Sequence, residues 1–341
     1  MRGESVRLLE SGLLTTVQDL GRFGYQKHGV TPSGAMDPVA LRLANSLVGN
    51  DRRAAGLEMT LRGPAIEFRH DALIAICGAD LSPEIADMRL PSWCAILVQR
   101  GSVLEFGDAR WGCRAYLAIS GGIAVPEIMG SRATYRHARI GGVEGRALQA
   151  GDDLPVGRAD ERVLDVMRDA ASNLGPFPFA LSIHRLALGD VMELYERDCR
   201  VRVMRGPHFD MFDERDRDAF LNEAFEVSSR SDRMGYRLTG PILDSSERDE
   251  LVSSAVLTGT VQVPGGGEPI VLMADRQTTG GYPMIGQVAA ADLPVLAQLK
   301  PGDQISFEEI TIERAQSALR AQWDRVQALK EGVGVLAASR P

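Results

Sequence analysis

Four segments of the chain gather side chains able to bind anions, orient amides and move protons. The first is Thr15-Thr16-Val17-Gln18-Asp19-Leu20-Gly21-Arg22, continued by Gly29-Val30-Thr31-Pro32-Ser33-Gly34-Ala35-Met36-Asp37. The second runs from Ala44-Asn45 to Gly49-Asn50 and on to Glu58. The third is Ser231-Asp232-Arg233-Met234-Gly235-Tyr236-Arg237, and the fourth Ala274-Asp275-Arg276-Gln277-Thr278-Thr279-Gly280-Gly281-Tyr282-Pro283. In the fourth, polar side chains precede two glycines that let backbone amides approach a ligand. Planar guanidinium forks bind carboxylates and phosphoryl groups, which makes Arg22, Arg233 and Arg276 candidate anion holders. Asp275 and Glu58 are candidate acid/base or substrate-orienting carboxylates. The candidate catalytic set is Asp275, Arg276 and Glu58. Gln18, Asp19, Arg22, Asn45, Arg233, Tyr236, Gln277, Thr278 and Tyr282 form the candidate substrate-binding set.

Each of these residues also has a plainer reading. Asp19 and Arg22 suit a local structural pair, and Asp37 suits a helix cap. Asp232 suits a partner for Arg233 or Arg237, and Tyr236 suits the core. Asn45 and Asn50 fall in a helix and at its end, where Asn is a common stop. Glu58, flanked by apolar residues, is either an outward strand residue or a buried carboxylate. The fourth segment suits an ordinary turn at a strand end.

Several chemistries are excluded by inspection. The sequence holds no Gly-Lys dipeptide, so a Walker A loop is absent, and it holds no GxGxxG, HExxH or GxSxG. The histidines, His28, His70, His137, His184 and His208, lack close metal-ligand spacing, so no metal is expected. A net charge of −8 disfavours nucleic acid, whose binders are basic. Only Lys27, Lys300 and Lys330 are lysines, which leaves guanidinium as nearly the only cation. No apolar run reaches the roughly 18–20 residues of a membrane span. Cys77, Cys94, Cys113 and Cys199 show no CxxC pair and suit reduced thiols, so a cytoplasmic protein is expected.

The elements that must position these residues are mostly strands. Short apolar runs, among them ALIAIC at 72–77, AILV at 95–98, RVRVM at 200–204 and PIVLM at 269–273, alternate with glycines and prolines. That punctuation points to barrels or sandwiches rather than βαβ repeats. Turns at Ala150-Gly151-Asp152 and Pro301-Gly302-Asp303 hint at two related β units. Asp37-Pro38 opens a helix with apolar residues at 40, 43, 44, 47 and 48, which Gly49 stops. A second helix is expected from 312 to 330, with Ile312, Ala315, Leu319, Trp323, Val326 and Leu329 on one face. The expected organisation is an N-terminal β-rich lobe at 1–157, a linker at 158–178 and a C-terminal β-rich lobe at 179–341.

The segments together carry a resemblance. TTVQDLGRFGYQKHGVTPSGAMDPVALRLANSLVGN, LEMTLRGP, YLAISGGIAVPEIMGSRATYRHARIGGVEGRALQAGD, SDRMGYRLTGP, GTVQVPGGGEPIVLMADRQTTGGYPMIGQV and DLPVLAQLKPGD span roughly 8–308. They resemble the allophanate hydrolase subunit 2 family, also called the KipA-like or biotin-dependent carboxyltransferase-like family. The family includes the C subunit of bacterial 5-oxoprolinase and part of the carboxyltransferase domain of urea carboxylase. The resemblance implies a mainly β protein with two cyclophilin-like β-barrel lobes and a few helices. It also implies two partners, a KipI-like subunit and a LamB/YcsF-like subunit. The activity it implies is ATP-dependent opening of 5-oxoproline to glutamate. One alternative is carboxyl transfer to urea or a related amide, with biotin carried on another protein. The other is a non-catalytic antagonist of a KipI-like kinase inhibitor. Ser253-Ser254-Ala255, where relatives often have Ser-Glu-Gly, and Ala133 in Gly130-Ser131-Arg132-Ala133-Thr134 depart from the family pattern. These departures bear on substrate choice more than on fold.

Overall fold

The computed structural model describes residues 4–172, 174, 177–195, 199–244 and 251–332. They form a mainly β protein whose contacts divide into two compact units. The first takes in the described parts of Met1–Arg22, Asp37–Glu193 and Arg325–Pro341; the second takes in those of Phe23–Met36 and Leu194–Asp324. Among the described residues no helix is long and apolar enough to cross a membrane.

The first unit is built from two six-stranded sheets. One runs in the order Asp153–Pro155, Ser5–Glu10, Ala65–Phe68, Val103–Glu105, Glu84–Ile85, Met88–Arg89. The other runs Phe179–Arg185, Cys94–Val98, Ala72–Asp80, Trp111–Ile119, Gly56–Thr60, Leu14–Gln18. Successive side chains on a strand point to opposite faces. One face of each sheet therefore meets in a shared core, with Leu8, Ile66 and Phe68 from one and Leu57, Ile76 and Leu117 from the other. On the opposite face of the second sheet, Thr16, Glu58, Tyr116 and Cys77 stand side by side across four strands. Helix Pro38–Leu47 packs against strands of that sheet, and the Asp37 carboxylate caps it by accepting from the amides of Val39 (3.1 Å) and Ala40 (3.0 Å). The expected mainly β fold is present, and the described strands of this unit form these two six-stranded sheets, while the other unit's own strands form a closed barrel.

The first unit reaches past residue 157. Strand Phe179–Arg185 pairs antiparallel with Cys94–Val98, in the register Phe179↔Val98 and Leu181↔Ile96, and so extends a sheet of the first unit. Much of the expected linker is helix Glu161–Ser172, which buries Val163 and Ala170 in that same unit. Residues 173, 175 and 176 of the linker lie outside the described set, as do 333–341 of the expected C-terminal lobe.

The second unit is a closed seven-stranded barrel. Its order is Arg200–Arg205, Met284–Val288, Thr260–Gln262, Ile270–Leu272, Gly235–Thr239, Phe225–Val227, Gln304–Glu309. Closure is by parallel pairing of the last strand with the first, from Arg200↔Ser306 to Val203↔Glu309. Val203, Phe220, Phe225, Tyr236, Val261, Val271, Ile285 and Phe307 fill it, as a barrel this narrow requires. Gly286 is a packing necessity, since a Cβ there would stand 2.6 Å from Val203 Cγ2. A short ribbon, Ser254↔Gly280 and Ala255↔Thr279, is separate from the barrel sheet. The C-terminal helix spans Ile312–Gly332 and buries Ala315, Val326 and Leu329, whereas Ile312 stays exposed.

Candidate functional site

The first unit brings Gln18, Asp19 and Arg22 together on one loop. Strand Leu14–Gln18 ends at Gln18, whose Nε2 donates to Thr16 Oγ1 and the Thr134 carbonyl, both at 3.1 Å. Gln18 Oε1 is sealed from solvent and finds no protein donor among the described residues. Asp19 does not pair with Arg22 as the local reading expected. Its Oδ1 accepts from Gly21 N (2.8 Å) and Ser131 Oγ (2.7 Å), and its Oδ2 accepts from Arg132 N (2.6 Å). Arg22 donates instead to the carbonyls of Ala133 and Ile128. Gly141, at φ +72°, gives that guanidinium room: a Cβ there would lie 2.6 Å from Arg22 Nη2. The Gly130–Thr134 stretch that departs from the family pattern is thus the cradle of Asp19 and Arg22.

Asn45 and Glu58 belong to the neighbouring helix and strand, Glu58 lying opposite Thr16. Asn45 Nδ2 donates to the Ala54 carbonyl (2.9 Å) and its Oδ1 accepts from Asn50, so the two asparagines close the end of the helix. Glu58 is the buried carboxylate rather than the outward one. Its Oε2 accepts from the Tyr116 hydroxyl at 2.8 Å, and that hydroxyl in turn accepts from the Asp37 amide at 2.7 Å. Burial, then the carboxylates of Glu58 and Asp37, raise the Tyr116 pKa far above its usual value, so the phenol remains a donor.

In the second unit the third and fourth segments converge. The barrel register sets Gly235 opposite Leu272, and the pairing continues outward as Asp275 N donates to the Arg233 carbonyl at 2.8 Å. The side chains then form a buried ion pair, Arg233 Nε to Asp275 Oδ2 at 2.9 Å and Nη2 to Oδ1 at 3.1 Å. Asp232 pairs with neither Arg233 nor Arg237; its carboxylate accepts from the turn amides of Met234 and Gly235. Ser33 Oγ donates to Asp275 Oδ1 at 2.6 Å, and Arg233 Nη2 also donates to the Gly34 carbonyl at 2.6 Å. Thr31 Oγ1 donates to the carbonyl of Arg276. The turn at 31–34 therefore braces the start of the fourth segment.

Arg276 differs from Arg233. It is 6% exposed, and its side chain makes one protein hydrogen bond among the described residues, Nε to the Val256 carbonyl at 3.3 Å. Burial alone lowers its pKa. Beyond it, Gln277 Nε2 donates to Gln262 Oε1 (3.3 Å), and Gln262 Nε2 donates to the Tyr282 carbonyl (3.4 Å). A Cβ at Gly280 would meet Gln262 Nε2 at 2.6 Å, so a side chain there would displace that amide. The Thr278 carbonyl accepts from Val256 N, and the Tyr282 side chain is exposed. Tyr236 faces the core, with its hydroxyl donating to the Leu299 carbonyl. The second unit thus joins Arg233, Asp275, Arg276, Gln277 and Thr278 on one polar edge.

Sequence reasoning passed over Ser33, Tyr116, Ser131 and Gln262. Ser33 and Gln262 sit in the TPSGAMD and GTVQVPGGG stretches, where a polar residue among glycines and prolines was the available signal. Ser33 also adopts φ +54°, which is uncommon for a non-glycine residue.

Comparison with known proteins places this arrangement among relatives. The sequence profile of the family described as "Carboxyltransferase domain, subdomain A and B" matches residues 28–309. The chain is 39% identical to the 5-oxoprolinase C subunit of Escherichia coli K12 over 317 residues, covering 93% of this chain and 95% of that protein. It is 35% identical to the 5-oxoprolinase C subunit of Haemophilus influenzae over 315 residues, covering 92% and 94%. The crystal structure of Kluyveromyces lactis urea carboxylase superposes with a TM-score of 0.84 at 30% identity, over 100% of this chain and 30% of that one.

Proposed function

The chain belongs to the carboxyltransferase domain, subdomain A and B, family, and from that premise we propose that it is the C-type component of an ATP-dependent 5-oxoprolinase. The observation that carries this reading is the near end-to-end match to the C subunits of two bacterial 5-oxoprolinases. In the urea carboxylase the same fold is a minor part of a longer chain. The reaction adds water across a lactam C–N bond to give glutamate, while ATP is hydrolysed to ADP and phosphate. It proceeds in the cytoplasm in a complex with a KipI-like and a LamB/YcsF-like partner.

The difficulty in this reaction is amide resonance, which makes the lactam carbon a poor electrophile. ATP, when bound by the complex, would supply a phosphoryl group that activates the lactam carbon toward water, the ring nitrogen then leaving as the C–N bond breaks. The described residues do not fit a triphosphate, because Arg276 offers one positive charge and the sequence lacks a Gly-Lys loop. ATP is therefore assigned to the partner proteins, and no step in this chain runs through it. What the chain contributes is orientation. The Gln277 amide follows Arg276 in the same segment, is tied to Gln262 of strand Thr260–Gln262, and keeps its oxygen to accept from a small amide. Asp275, with Arg233 and Ser33 on its oxygens, holds that segment in place.

Carboxyl transfer to urea or another amide is the second reading, favoured by the urea carboxylase match. Biotin would then arrive on another protein, since no Met-Lys attachment dipeptide is present. One assay separates the two: glutamate release from 5-oxoproline with ATP, using this chain purified with its neighbouring-gene partners, with and without avidin. Glutamate formed regardless of avidin is the expected result. No glutamate from an intact, folded complex overturns the oxoprolinase reading.

A further inference from the structure

Four arginines are buried among the described residues: Arg22, Arg114, Arg233 and Arg276. Arg22 donates to two backbone carbonyls, Arg114 to the Cys113 sulfur, and Arg233 forks onto Asp275. Arg276 has no carboxylate within ion-pair distance among the described residues, and Val256 O, its one side-chain partner, is neutral. Burial is the only influence on its pKa, with no neighbouring charge contributing, and an arginine so shifted still remains a cation at neutral pH. A desolvated cation without a counter-charge destabilises a fold, and pairing with an anion removes that penalty.

The root of the side chain is well fixed. Arg276 N donates to the Met273 carbonyl (3.2 Å), and its own carbonyl accepts from Thr31 Oγ1. The neighbour on one side is the Asp275–Arg233 pair, and on the other Gln277 bonded to Gln262. A fixed root whose two Nη nitrogens meet no protein acceptor among the described residues is the arrangement of a binding fork. The charge balance selects the ligand. One guanidinium neutralises one carboxylate, whereas a phosphate dianion would leave surplus negative charge buried beside Asp275.

We infer that Arg276 receives a carboxylate carried by the small amide that this chain binds, and so selects an anionic amide over a neutral one. The choice of 5-oxoproline as probe rests on the oxoprolinase reading; the dependence of carboxylate binding on Arg276 does not.

The test is calorimetric titration of the complete complex, with the native chain, Arg276→Gln or Arg276→Lys, against 5-oxoproline, neutral pyrrolidinone and inorganic phosphate. Arg276→Gln is expected to weaken 5-oxoproline binding by about 10- to 100-fold, the loss of charge-assisted hydrogen bonds, with Lys in between. Pyrrolidinone should bind the three complexes alike, and phosphate should not displace 5-oxoproline. Unchanged 5-oxoproline binding in Arg276→Gln overturns the inference, as does phosphate binding that is lost in the same variant. If the variants do not assemble, the native complex decides: equal affinity for 5-oxoproline and pyrrolidinone, or no binding of 5-oxoproline, overturns it. Arg276-dependent binding without glutamate release keeps the inference and removes the oxoprolinase reading. Native rates of glutamate release from Arg276→Gln do the reverse.

Discussion

The two units handle buried polar groups in different ways. In the first, Asp19 and Arg22 are turned onto backbone: the carboxylate takes two amides and a hydroxyl, and the guanidinium takes two carbonyls. Both ends of the charge distribution are engaged by the loop they organise. In the second, Arg233 meets Asp275, while the side chain of Arg276, the residue after Asp275, meets one carbonyl among the described residues. Polar density is similar in the two regions, yet Arg22 is held by two backbone carbonyls whereas the Arg276 side chain is held by one among the described residues. The kind of partner, rather than the number of polar residues, separates architecture from binding capacity.

The largest effect should come from Asp275→Ala, which removes both Arg233 contacts and the Ser33 contact. Breaking one side of a buried ion pair costs about 3–5 kcal/mol, measurable by urea unfolding. A loss below about 1 kcal/mol, the range of exposed pairs, would place Asp275 outside the brace. Next is Asp19→Ala, which strands three donors and should cost about 2–3 kcal/mol while leaving glutamate release per folded complex unchanged. Lost turnover in an otherwise folded complex would move Asp19 from architecture to substrate contact and blur the comparison. Tyr116→Phe removes the donor to Glu58 and the acceptor of the Asp37 amide, and about 1–2 kcal/mol should go with them. An unchanged urea midpoint would show that this bridge holds nothing.

The smallest effect concerns Asp152, whose pKa is lowered by its hydrogen bonds with Arg146, against an opposing contribution from burial and with help from the Gln149 amide. A depressed carboxylate pKa means that the unfolded chain binds the proton more readily. The stabilisation is then full above about pH 4 and lost as pH falls through the folded pKa. For a pair this near the surface it is below about 1 kcal/mol. Asp152→Asn should flatten the acid side of the stability profile by that amount and leave neutral pH turnover alone. An acid slope equal to the native one would contradict this.

Local chemistry made much of the helical frame legible. Asp37-Pro38 fixed the start of a helix because cap and first-turn proline act within four residues. The 3.6-residue period likewise located the C-terminal helix to within two residues of its end. The β content was legible from its punctuation, but register was not. Whether Arg233 pairs with Asp232 or with Asp275 depends on Gly235 lying opposite Leu272, a pairing that no nearby residue announces. For the same reason the pairing of strand Phe179–Arg185 is not announced locally: its partner, Cys94–Val98, lies far away in sequence. The candidate site was legible as a list of residues. Which of them have partners is a property of the folded chain.

Thermal unfolding of Arg22→Gln and Arg276→Gln beside the native complex, without added ligand, tests the contrast between the units most directly. Arg22→Gln should lower the melting temperature, because two buried carbonyls lose a donor. Arg276→Gln should leave it unchanged or raise it, because a buried cation with no carboxylate partner among the described residues is removed. A fall as large in Arg276→Gln as in Arg22→Gln would show that both arginines serve the fold, and would contradict the assignment of Arg276 to a ligand.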